Sequence, residues 1–311
     1  MSKIATRDAY GKALVKIGAS NPDVVVLDAD LSKSTKTADF QSAYPERFFN
    51  LGIAEQNLMG VAAGFAAAGK IPFASTFAVF AIGRAYDQIR NTIAYPMLNV
   101  KIAATHAGLT VGEDGGSHQM IEDLALTRAI PGMTVIVPAD ATETEQAIIK
   151  AVEYQGPVYI RLGRPAVPVI FDDSYQFEIG KSVIVREGSD LTIFATGIMV
   201  SEALLAADEL AKEGIMAEVI NISTIKPIDS EGIAASIKKT GCCLSCEEHN
   251  ILGGLGGAIA EVLAETCPAP MERVGVDDVF GRSGSPDELM EVYGLKKKDI
   301  IGKAKKVLQR K

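Results

Sequence analysis

The sequence predicts an α/β protein made of two doubly wound domains whose sheets are mainly parallel. Strand-like apolar runs alternate with helix-like periodic segments along the chain, which is the pattern of a parallel sheet covered by helices. With 311 residues, 48% of them hydrophobic, the chain is long enough for two domains with packed cores. The alternation is interrupted between residues 166 and 187. We therefore predict domains over residues 1–165 and 188–311, joined by a linker over 166–187.

Each domain is predicted from its own series of strands and helices. The first opens with a helix over "ATRDAYGKALVKIGAS", for which Thr6 is the expected N-cap, and continues with strands at "DVVVLDADL", "RFFNLGI", "NVKIAATH", "MTVIVP" and "GPVYIRLGR". The segment "FAIGRAYDQIRNTIAY" predicts a further helix in this domain. The second has strands at "DLTIFATG", "MAEVINIS" and "CCLSCEE", separated by helices such as "SEALLAADELAKEG". Between the domains, "PAVPVIFDDSYQFEIGKSVIVREG" holds two prolines and no helical period, so we expect a linker or a hairpin there.

Composition and charge exclude several classes of protein. A formal net charge of −8 argues against a nucleic-acid or acidic-membrane surface, which requires basic patches. No apolar run reaches the length of a membrane span, and the start "MSKIATRDAY" lacks a secretory apolar region, so we expect a cytoplasmic protein with neither membrane nor nucleic-acid partner. Cys242, Cys243 and Cys246 lie in a strand-like apolar run, which indicates buried thiols rather than a metal or redox site.

Polar side chains gather where the predicted strands of the first domain end. In an open parallel sheet, ligands bind beyond the carboxyl ends of the strands. The residues found there are Asp28, Asp30, Ser32, Ser34, Glu55, Thr105, His106, Asp114, Ser117, His118, Arg161 and Arg164. The loop "AGLTVGEDGGSHQ" is rich in glycines, which permit positive φ angles and a close approach of the backbone to a ligand. We therefore predict an active-site edge on the first sheet.

Two glycine-rich segments imitate nucleotide-binding motifs without their context. "GFAAAGK" matches the first seven positions of a phosphate loop, but Ile71 replaces the hydroxyl residue that would hold Mg²⁺, and the segment closes a helix instead of opening one. Gly69 is better explained as a helix C-cap. "EEHNILGGLGG" lacks the G-x-G-x-x-G spacing of a dinucleotide fingerprint, so we interpret it as tight strand-to-helix packing with a structural His249.

Four segments occur in the order seen in the second half of transketolase: "NLGIAEQNLMGVAAGFA", "STFAVF", "THAGLTVGEDGGSHQ" and "VYIRLGR". The chain resembles that family from "ATRDAYGKAL" to "GRSGSPDELMEVYGL", nearly its whole length. The resemblance implies a pyrimidine-binding domain followed by a transketolase C-terminal domain, with thiamine diphosphate as the cofactor. It further implies transfer of a two-carbon ketol unit from a ketose phosphate to an aldose phosphate, in the pentose phosphate pathway of carbohydrate metabolism.

The resemblance implies that Glu55 is the catalytic acid that contacts the aminopyrimidine ring of the cofactor. Its small and apolar neighbours favour the uncharged carboxyl, whereas a helix N-terminus favours the anion, and the sequence does not decide between them. Phe77 and Phe80 match the aromatic side chains that flank the pyrimidine ring. Asp30 matches an acid of the cofactor pocket at the subunit interface.

The substrate-binding residues that the resemblance implies lie mostly in and around the glycine-rich loop. His106 and His118 match catalytic histidines beside the sugar, where an imidazole can bond oxygen atoms and move protons near neutral pH. Asp114 matches an aspartate that bonds a hydroxyl of the donor sugar. The residues that match the site of the terminal phosphate are Arg7, Ser34, His106 and Arg164. Arg161 has no clear counterpart in the family.

The sequence departs from the family at two places. Gly83 stands where many transketolases have a tyrosine, and the nearest aromatic residue, Tyr86, lies one helical turn further on. The G-D-G motif with a later asparagine, which holds the diphosphate and its Mg²⁺ (or Ca²⁺) in the family, is not matched, because "GEDGG" separates the glycine from the aspartate. We therefore expect no metal ligands here and a split enzyme, assembled as α₂β₂, in which an N-terminal partner subunit holds the diphosphate and the metal.

Three other functions stay open on the sequence. The β subunit of a 2-oxoacid dehydrogenase has the same two domains and a similar "EEHNILGGLGG", but Arg7, His106 and "GEDGGSHQ" fit sugar-phosphate chemistry better. A fragment of 1-deoxyxylulose-5-phosphate synthase shares "STF…RAYDQ" but usually lacks a histidine at the position of His106. A non-catalytic regulatory subunit is the third, and the presence together of Glu55, His106, Asp114 and His118 argues against it.

Overall fold

A computed structural model describes residues 2–311 of the protein. The strands are β1 (Lys3–Ala5), β2 (Val24–Asp28), β3 (Phe48–Asn50), β4 (Ile71–Ser75), β5 (Lys101–Ala104), β6 (Thr134–Ile136), β7 (Val158–Arg161), β8 (Ala166–Pro168), β9 (Val183–Arg186), β10 (Leu191–Ala195), β11 (Ala217–Asn221), β12 (Thr224–Lys226), β13 (Cys243–Asn250) and β14 (Met271–Val276). The α-helices are α1 (Thr6–Ser20), α2 (Ser32–Thr35), α3 (Thr37–Ala43), α4 (Glu55–Ala67), α5 (Asp123–Arg128), α6 (Ala141–Glu153), α7 (Met199–Lys212), α8 (Ser230–Thr240), α9 (Leu255–Thr266), α10 (Pro286–Val292) and α11 (Lys297–Leu308). The π-helical segments are Val79–Arg84 and Gln88–Ala94, and the 3₁₀ turns are Pro45–Arg47 and Leu109–Val111.

The first sheet has the strand order β12-β6-β7-β5-β4-β2-β3, and strands β2 to β7 pair in parallel. Alternate residues of β2 enter two different cores. Val24 and Val26 pack in the core that contains α1 and α6, whereas Val25 and Leu27 pack in the core that contains α4. Because both faces of the sheet are buried under helices, its strands read as continuous apolar runs. The predicted α/β class with mainly parallel sheets is confirmed.

The second sheet has the order β14-β13-β10-β11-β9, and only its edge strand β9 pairs antiparallel. Two strands lie inside the segment predicted as a linker, 166–187. Strand β8 pairs with β1, at the start of the chain, and β9 pairs with β11. Strand β12, from the second half, crosses over and adds antiparallel to β6 of the first sheet. The two halves therefore share a sheet, and the exact division into domains stays a prediction.

Helix α4 brings its first residue to the carboxyl edge of the first sheet. It follows β3 after the short connection 51–54, and its side chains Leu58, Met59 and Ala62 are buried against the sheet. A helix that joins two parallel strands runs back along the sheet, so its N-terminus lies at the carboxyl end of the preceding strand. The apolar side of α4 thus determines where Glu55 is placed.

The carboxyl ends of the second sheet lie against the first half of the chain. The carbonyl oxygen of Ser223, just beyond β11, accepts a hydrogen bond from the Val137 amide at 2.7 Å. The carbonyl oxygen of Glu248, near the end of β13, accepts one from Arg161 Nη2 at 2.9 Å. The edge where an open sheet would bind a ligand is here an internal contact between the two halves.

Two further expectations concern membrane-spanning helices and the thiols. No α-helix within residues 2–311 combines the length and the apolar character needed to cross a membrane. The cysteines are free, and Cys242, Cys243 and Cys246 are buried. Burial raises the pKa of Cys243 and Cys246, so both remain protonated thiols near neutral pH.

Candidate active site

Glu55 is the buried acid at this edge. Only 3% of it is exposed, and both of its carboxylate oxygens lie 3.0 Å from Arg84 Nη1. The Arg84 side chain is 51% exposed, so the ion pair is open to solvent on its outer side. Arg84 is not among the site residues predicted from the sequence. The signal that could have found it is a cation four residues beyond Phe80 in a segment predicted to be helical.

Phe77 and Phe80 form a flat apolar wall beside this acid. Their rings stack with centroids 5.9 Å apart and an angle of 12° between the planes. The guanidinium of Arg84 lies over the Phe80 ring at 4.7 Å from its centroid. Arg84 therefore spans from the aromatic wall to the carboxylate of Glu55.

The wall is open where the family often has a tyrosine. A Cβ atom built on Gly83 would meet nothing within 4 Å. Tyr86 does not fill this space, because its ring packs against the core and its hydroxyl donates to the Leu126 carbonyl at 3.2 Å. The opening beside Gly83 adjoins Arg84, the next residue along the chain.

His106 is buried at the end of β5 and continues the aromatic wall. Its ring stacks on Phe77 with centroids 3.8 Å apart, and its Nδ1 lies 2.9 Å from Thr105 Oγ1. Arg7 Nη1 lies 3.4 Å from its Nε2 and can only donate, so Nε2 accepts and Nδ1 carries the hydrogen. Burial lowers the pKa of His106 to about 3, assisted by the charges of Arg7 and Arg164. The imidazole is therefore neutral at physiological pH.

His118 meets the same wall from the other end of the glycine-rich loop. Its ring packs edge-on against Phe80, with centroids 5.4 Å apart and planes at 77°. Its Nδ1 lies 3.1 Å from Ser117 Oγ. We call the four rings of Phe77, Phe80, His106 and His118 the aromatic strip.

Two guanidinium groups lie beyond the His106 end of the strip. Arg7 Nη1 donates to the Ser34 carbonyl at 3.0 Å, and its Nε is buried without a partner among residues 2–311. Burial lowers the pKa of Arg7, and the charge of Arg164 adds to this effect. Arg164 Nη1 bonds the Val111 carbonyl and lies 4.0 Å from Asp114 Oδ2. Two cations close enough to repel each other, one with an unused donor, have the charge and the hydrogen-bonding capacity that suit an anion.

Asp30 contacts Asn50, the last residue of the neighbouring strand β3. It is exposed just beyond β2, where its Oδ1 accepts a hydrogen bond from Asn50 Nδ2 at 3.1 Å. Its neighbour Asp28 is buried and accepts from the hydroxyls of Thr35 and Thr37, so it stabilises the local turn. Burial raises the pKa of Asp28, and these hydrogen bonds oppose that rise.

The site fits a flat heterocycle that carries N–H groups. The Arg84 guanidinium is itself flat and N–H-bearing, and it stands in for such a group by covering Phe80 and bonding Glu55. Within residues 2–311, no group of three or more His, Cys, Asp or Glu side chains is arranged to hold a metal ion. The strip and its acid therefore fit the pyrimidine part of thiamine diphosphate.

The fold and the site define a two-domain α/β protein with a buried acid and an aromatic strip at the carboxyl edge of its first sheet. Residues 2–169 match the family described as transketolase, pyrimidine binding domain, and residues 180–300 match the transketolase C-terminal domain. The chain belongs to the transketolase family, which uses thiamine diphosphate.

Several relatives match the chain over nearly their whole length. A Methanocaldococcus jannaschii protein with the provisional name of a transketolase C-terminal section is 52% identical, covering 97% of this chain and 95% of that protein. The 6-deoxy-6-sulfo-D-fructose transketolase subunit of Clostridium sp. (strain MSTE9) is 45% identical, covering 98% of this chain and 95% of that subunit.

Solved structures agree with these matches. A split-gene transketolase, described as an inactive β4 tetramer, is 58% identical with a TM-score of 0.93, covering 98% of this chain and 99% of that chain. Transketolase from Leishmania mexicana is 26% identical with a TM-score of 0.85, and the match covers all of this chain but 46% of that one. The chain is thus similar to whole subunits and to about half of a longer transketolase.

Proposed function

We propose that this protein is the C-terminal subunit of a split transketolase that transfers a two-carbon ketol unit from a ketose phosphate to an aldose phosphate. The observation that carries the proposal is the buried Glu55 beside the Phe77–Phe80 wall. Two kinds of relative support it: a sugar transketolase subunit at 45% identity and a split-gene transketolase chain at 58% identity. We place the reaction in cytoplasmic carbohydrate metabolism, in the pentose phosphate pathway.

Thiamine diphosphate would supply a thiazolium carbon nucleophile and an electron sink. Glu55 would hold a proton at its carboxyl group, facing a ring nitrogen of the aminopyrimidine. Phe77 and Phe80 would exclude water from that ring and orient it. In this role Arg84 must leave Glu55, because a carboxylate bonded to a guanidinium is not free to share a proton with the ring.

The two loop histidines would act on the sugar. His106, neutral and fixed by Arg7 and Thr105, would bond a hydroxyl or carbonyl oxygen without adding charge. His118, on the outer side of the aromatic strip, would complete the proton traffic, and Asp114 would bond a sugar hydroxyl. These roles follow from the family resemblance, and the contacts with the strip support them.

Arg7 and Arg164 would hold the anionic end of the substrate, with Ser34 and His106 beside them. The unused Nε of Arg7 is the donor that such an anion would satisfy. Relatives are named for different sugars, a sulfofructose in one case and apulose 4-phosphate in another. The reconstitution experiment described below therefore compares phosphorylated with sulfonated sugars to identify the preferred anion.

A partner subunit completes the proposal. An N-terminal subunit would hold the diphosphate and Mg²⁺ (or Ca²⁺), Asp30 would lie at its interface, and the assembly would be α₂β₂. Ile53, two residues before Glu55, is 78% exposed, which suits a surface covered by another chain. The split-gene relative described as an inactive β4 tetramer also suits a chain that lacks activity alone. We also propose that the chain is divided into domains over residues 1–165 and 188–311, joined by a linker over 166–187.

Reconstitution tests the proposed function. The chain is mixed with a subunit that carries the G-D-G…N motif, thiamine diphosphate and Mg²⁺, and ketol transfer from xylulose 5-phosphate to an aldose phosphate is measured. Each chain alone is the control and should be inactive. Full activity of this chain alone would contradict the split enzyme. Decarboxylation of pyruvate with lipoyl reduction and without ketol transfer would favour a 2-oxoacid dehydrogenase subunit, and transfer only from a sulfonated sugar would change the substrate class.

A further inference from the structure

The buried run Glu247-Glu248-His249 at the end of β13 is not used by the proposed function. All three side chains are at most 4% exposed. The segment was interpreted from sequence as strand-to-helix packing, and this describes only part of it. Glu247 accepts hydrogen bonds from the Leu255 and Gly256 amides, at 2.7 and 2.8 Å, where α9 begins. Glu248 points the other way, into the first half of the chain.

The carboxylate of Glu248 holds the start of the 3₁₀ turn Leu109–Val111. Its Oε1 accepts a hydrogen bond from the Thr110 amide at 2.6 Å, and the Leu109 amide also bonds this carboxylate. The fit is tight, because a Cβ atom on Gly108 would come within 2.3 Å of the Glu248 carboxylate. Gly108 also has a φ of +82°, which favours glycine. The carboxylate therefore takes the place of a helix cap for a turn that lies far from it in sequence.

This turn lies between the two ends of the glycine-rich loop. It follows His106 by three residues and precedes Asp114 by three, so its position sets the distance between these two predicted substrate contacts. The second half of the chain supports the loop again further on, since Gln119 Nε2 donates to the Arg282 carbonyl at 3.0 Å.

Arg161 fixes Glu248 itself. Its Nη2 donates to the Glu248 carbonyl at 2.9 Å and lies 3.3 Å from the Met120 carbonyl, while its Nε donates to Asp123 Oδ2 at 2.7 Å. The same guanidinium therefore bonds the strand that carries Glu248 and the end of the loop that Glu248 supports. The charge of Arg161 also opposes the rise that burial causes in the pKa of Glu248.

We infer that Glu248 is a positioning residue through which the C-terminal domain holds the loop 107–118 in its substrate-binding shape. The inference rests on the proposed function for its catalytic consequence. The structural part of the inference is that the Glu248 carboxylate holds the Leu109–Val111 turn in place. This part does not depend on the reaction.

Hydrogen–deuterium exchange of the full chain tests the structural content. Glu248→Ala should speed exchange of the amides of residues 108–112 by about tenfold or more, because the Leu109 and Thr110 amides lose their acceptor and the turn that they anchor is released. Glu248→Gln keeps an acceptor of the same length and should remain within about threefold of the wild type. Glu247→Ala is the matched control: an equally buried neighbour whose loss should speed exchange only at the start of α9.

Two results would overturn the inference. One is unchanged exchange at residues 108–112 in Glu248→Ala, and the other is equal exchange at these residues in the Glu248→Ala and Glu247→Ala chains. If Glu248→Ala does not fold, Glu248→Asp replaces it, because Asp keeps the charge but withdraws the carboxylate from Thr110. Fast exchange in the Asp variant with slow exchange in the Gln variant supports the inference, and equal exchange in the two contradicts it.

Kinetics of the reconstituted complex test the catalytic consequence. Glu248→Ala should raise the KM for the ketose phosphate by about tenfold, corresponding to roughly 1.4 kcal/mol, while the Kd of thiamine diphosphate changes by less than about twofold. Glu247→Ala should leave that KM unchanged. Equal changes in KM and Kd would contradict a role confined to the loop. If no variant and no wild type shows ketol transfer, the proposed function fails, and the exchange experiment still decides whether Glu248 holds the loop.

Discussion

The carboxyl edges of the two sheets carry similar residue types but put them to different use. At the edge of the first sheet, Glu55 and the aromatic strip face an opening that Arg84 only partly covers, with its side chain 51% exposed. At the edge of the second sheet, Glu247, Glu248 and His249 are buried and bonded to other parts of the same chain. Acid and histidine occur at both edges, but only the first edge leaves donors and rings available to a ligand.

The difference shows what the strand-end rule for parallel sheets requires. The rule predicts a ligand site at the carboxyl edge of each sheet, and both sheets here have suitable side chains there. The second edge is occupied by the first half of the chain, which supplies Arg161 and the Thr110 amide as partners. Polar side chains at a strand end therefore indicate a ligand site only when no other part of the protein forms hydrogen bonds or ion pairs with them.

Glu55→Gln is the change with the largest expected effect. It tests the carboxyl edge of the first sheet, which we call the open edge. The amide keeps the size of the side chain but cannot share a proton with the cofactor ring, so turnover should fall by about a hundredfold to ten-thousandfold. Ketol transfer by the reconstituted complex measures this loss, and thermal unfolding should show a nearly unchanged midpoint. Glu231→Gln, at the start of α8, is the control for an ordinary acid in a first helical turn. A Glu55→Gln complex with near-normal turnover would remove Glu55 from the mechanism.

Arg161→Met tests the carboxyl edge of the second sheet, which we call the closed edge because the first half of the chain covers it. Here the substitution should lower the stability of the folded chain. The substitution removes the cation from the buried Asp123, whose Oδ2 keeps only the Tyr159 hydroxyl at 2.6 Å. Breaking a buried ion pair on one side costs about 3–5 kcal/mol, so the free energy of unfolding in urea should fall by that amount. Lys150→Met breaks an exposed pair with Glu153 and should cost less than about 1 kcal/mol. Equal losses in the two variants would mean that burial adds nothing to the contribution of the Arg161–Asp123 pair.

The features that could be predicted from the sequence are those that depend on residues close to one another in the chain. The apolar runs predicted the strands, and the polar residues after them predicted the edge that carries Glu55 and His106. Contacts between distant residues could not be predicted, because no local pattern encodes them. Thr110 and Glu248 are 138 residues apart, and β12 joins the first sheet from the second half of the chain. The Arg84–Glu55 pair needs the turn of a π-helical segment that was predicted only as a helix.

Arg164→Ala tests whether the open edge binds an anion. Its guanidinium is one of the two cations beyond the aromatic strip, and an anionic substrate would lose one charge-assisted contact worth about 1.5–3 kcal/mol. The KM for phosphorylated sugars should rise by about tenfold to a hundredfold, with a smaller change in kcat. A substrate analogue without the phosphate is the control, and its KM should not respond. An equal response to both substrates would contradict the assignment of Arg164.

Arg84→Ala should have a smaller effect, in the opposite direction. Arg84 bonds Glu55 and covers Phe80, and both contacts must break before a pyrimidine ring can take that place. An ion pair that is open to solvent on its outer side and a cation–π contact together are worth about 1–2 kcal/mol, so the Kd of thiamine diphosphate should fall by roughly tenfold. Arg90→Ala removes an equal charge from a neighbouring exposed site and should not change it. Weaker cofactor binding in Arg84→Ala would mean that Arg84 contacts the bound cofactor.

The histidines give the finest comparison of the two edges. Burial lowers the pKa of His106 to about 3 and that of His249 to about 4, so neither NMR signal should titrate above about pH 5.5. For each residue, the stability that the neutral form brings is complete above the unfolded pKa of about 6.5 and is lost as the pH falls toward the folded value. Arg7→Gln should raise the pKa of His106, because the charge of Arg7 helps to lower it, and should leave that of His249 unchanged. A parallel shift of both signals would mean that the two edges are electrostatically coupled through the Arg161 contact, and the separation between them argued above would be wrong.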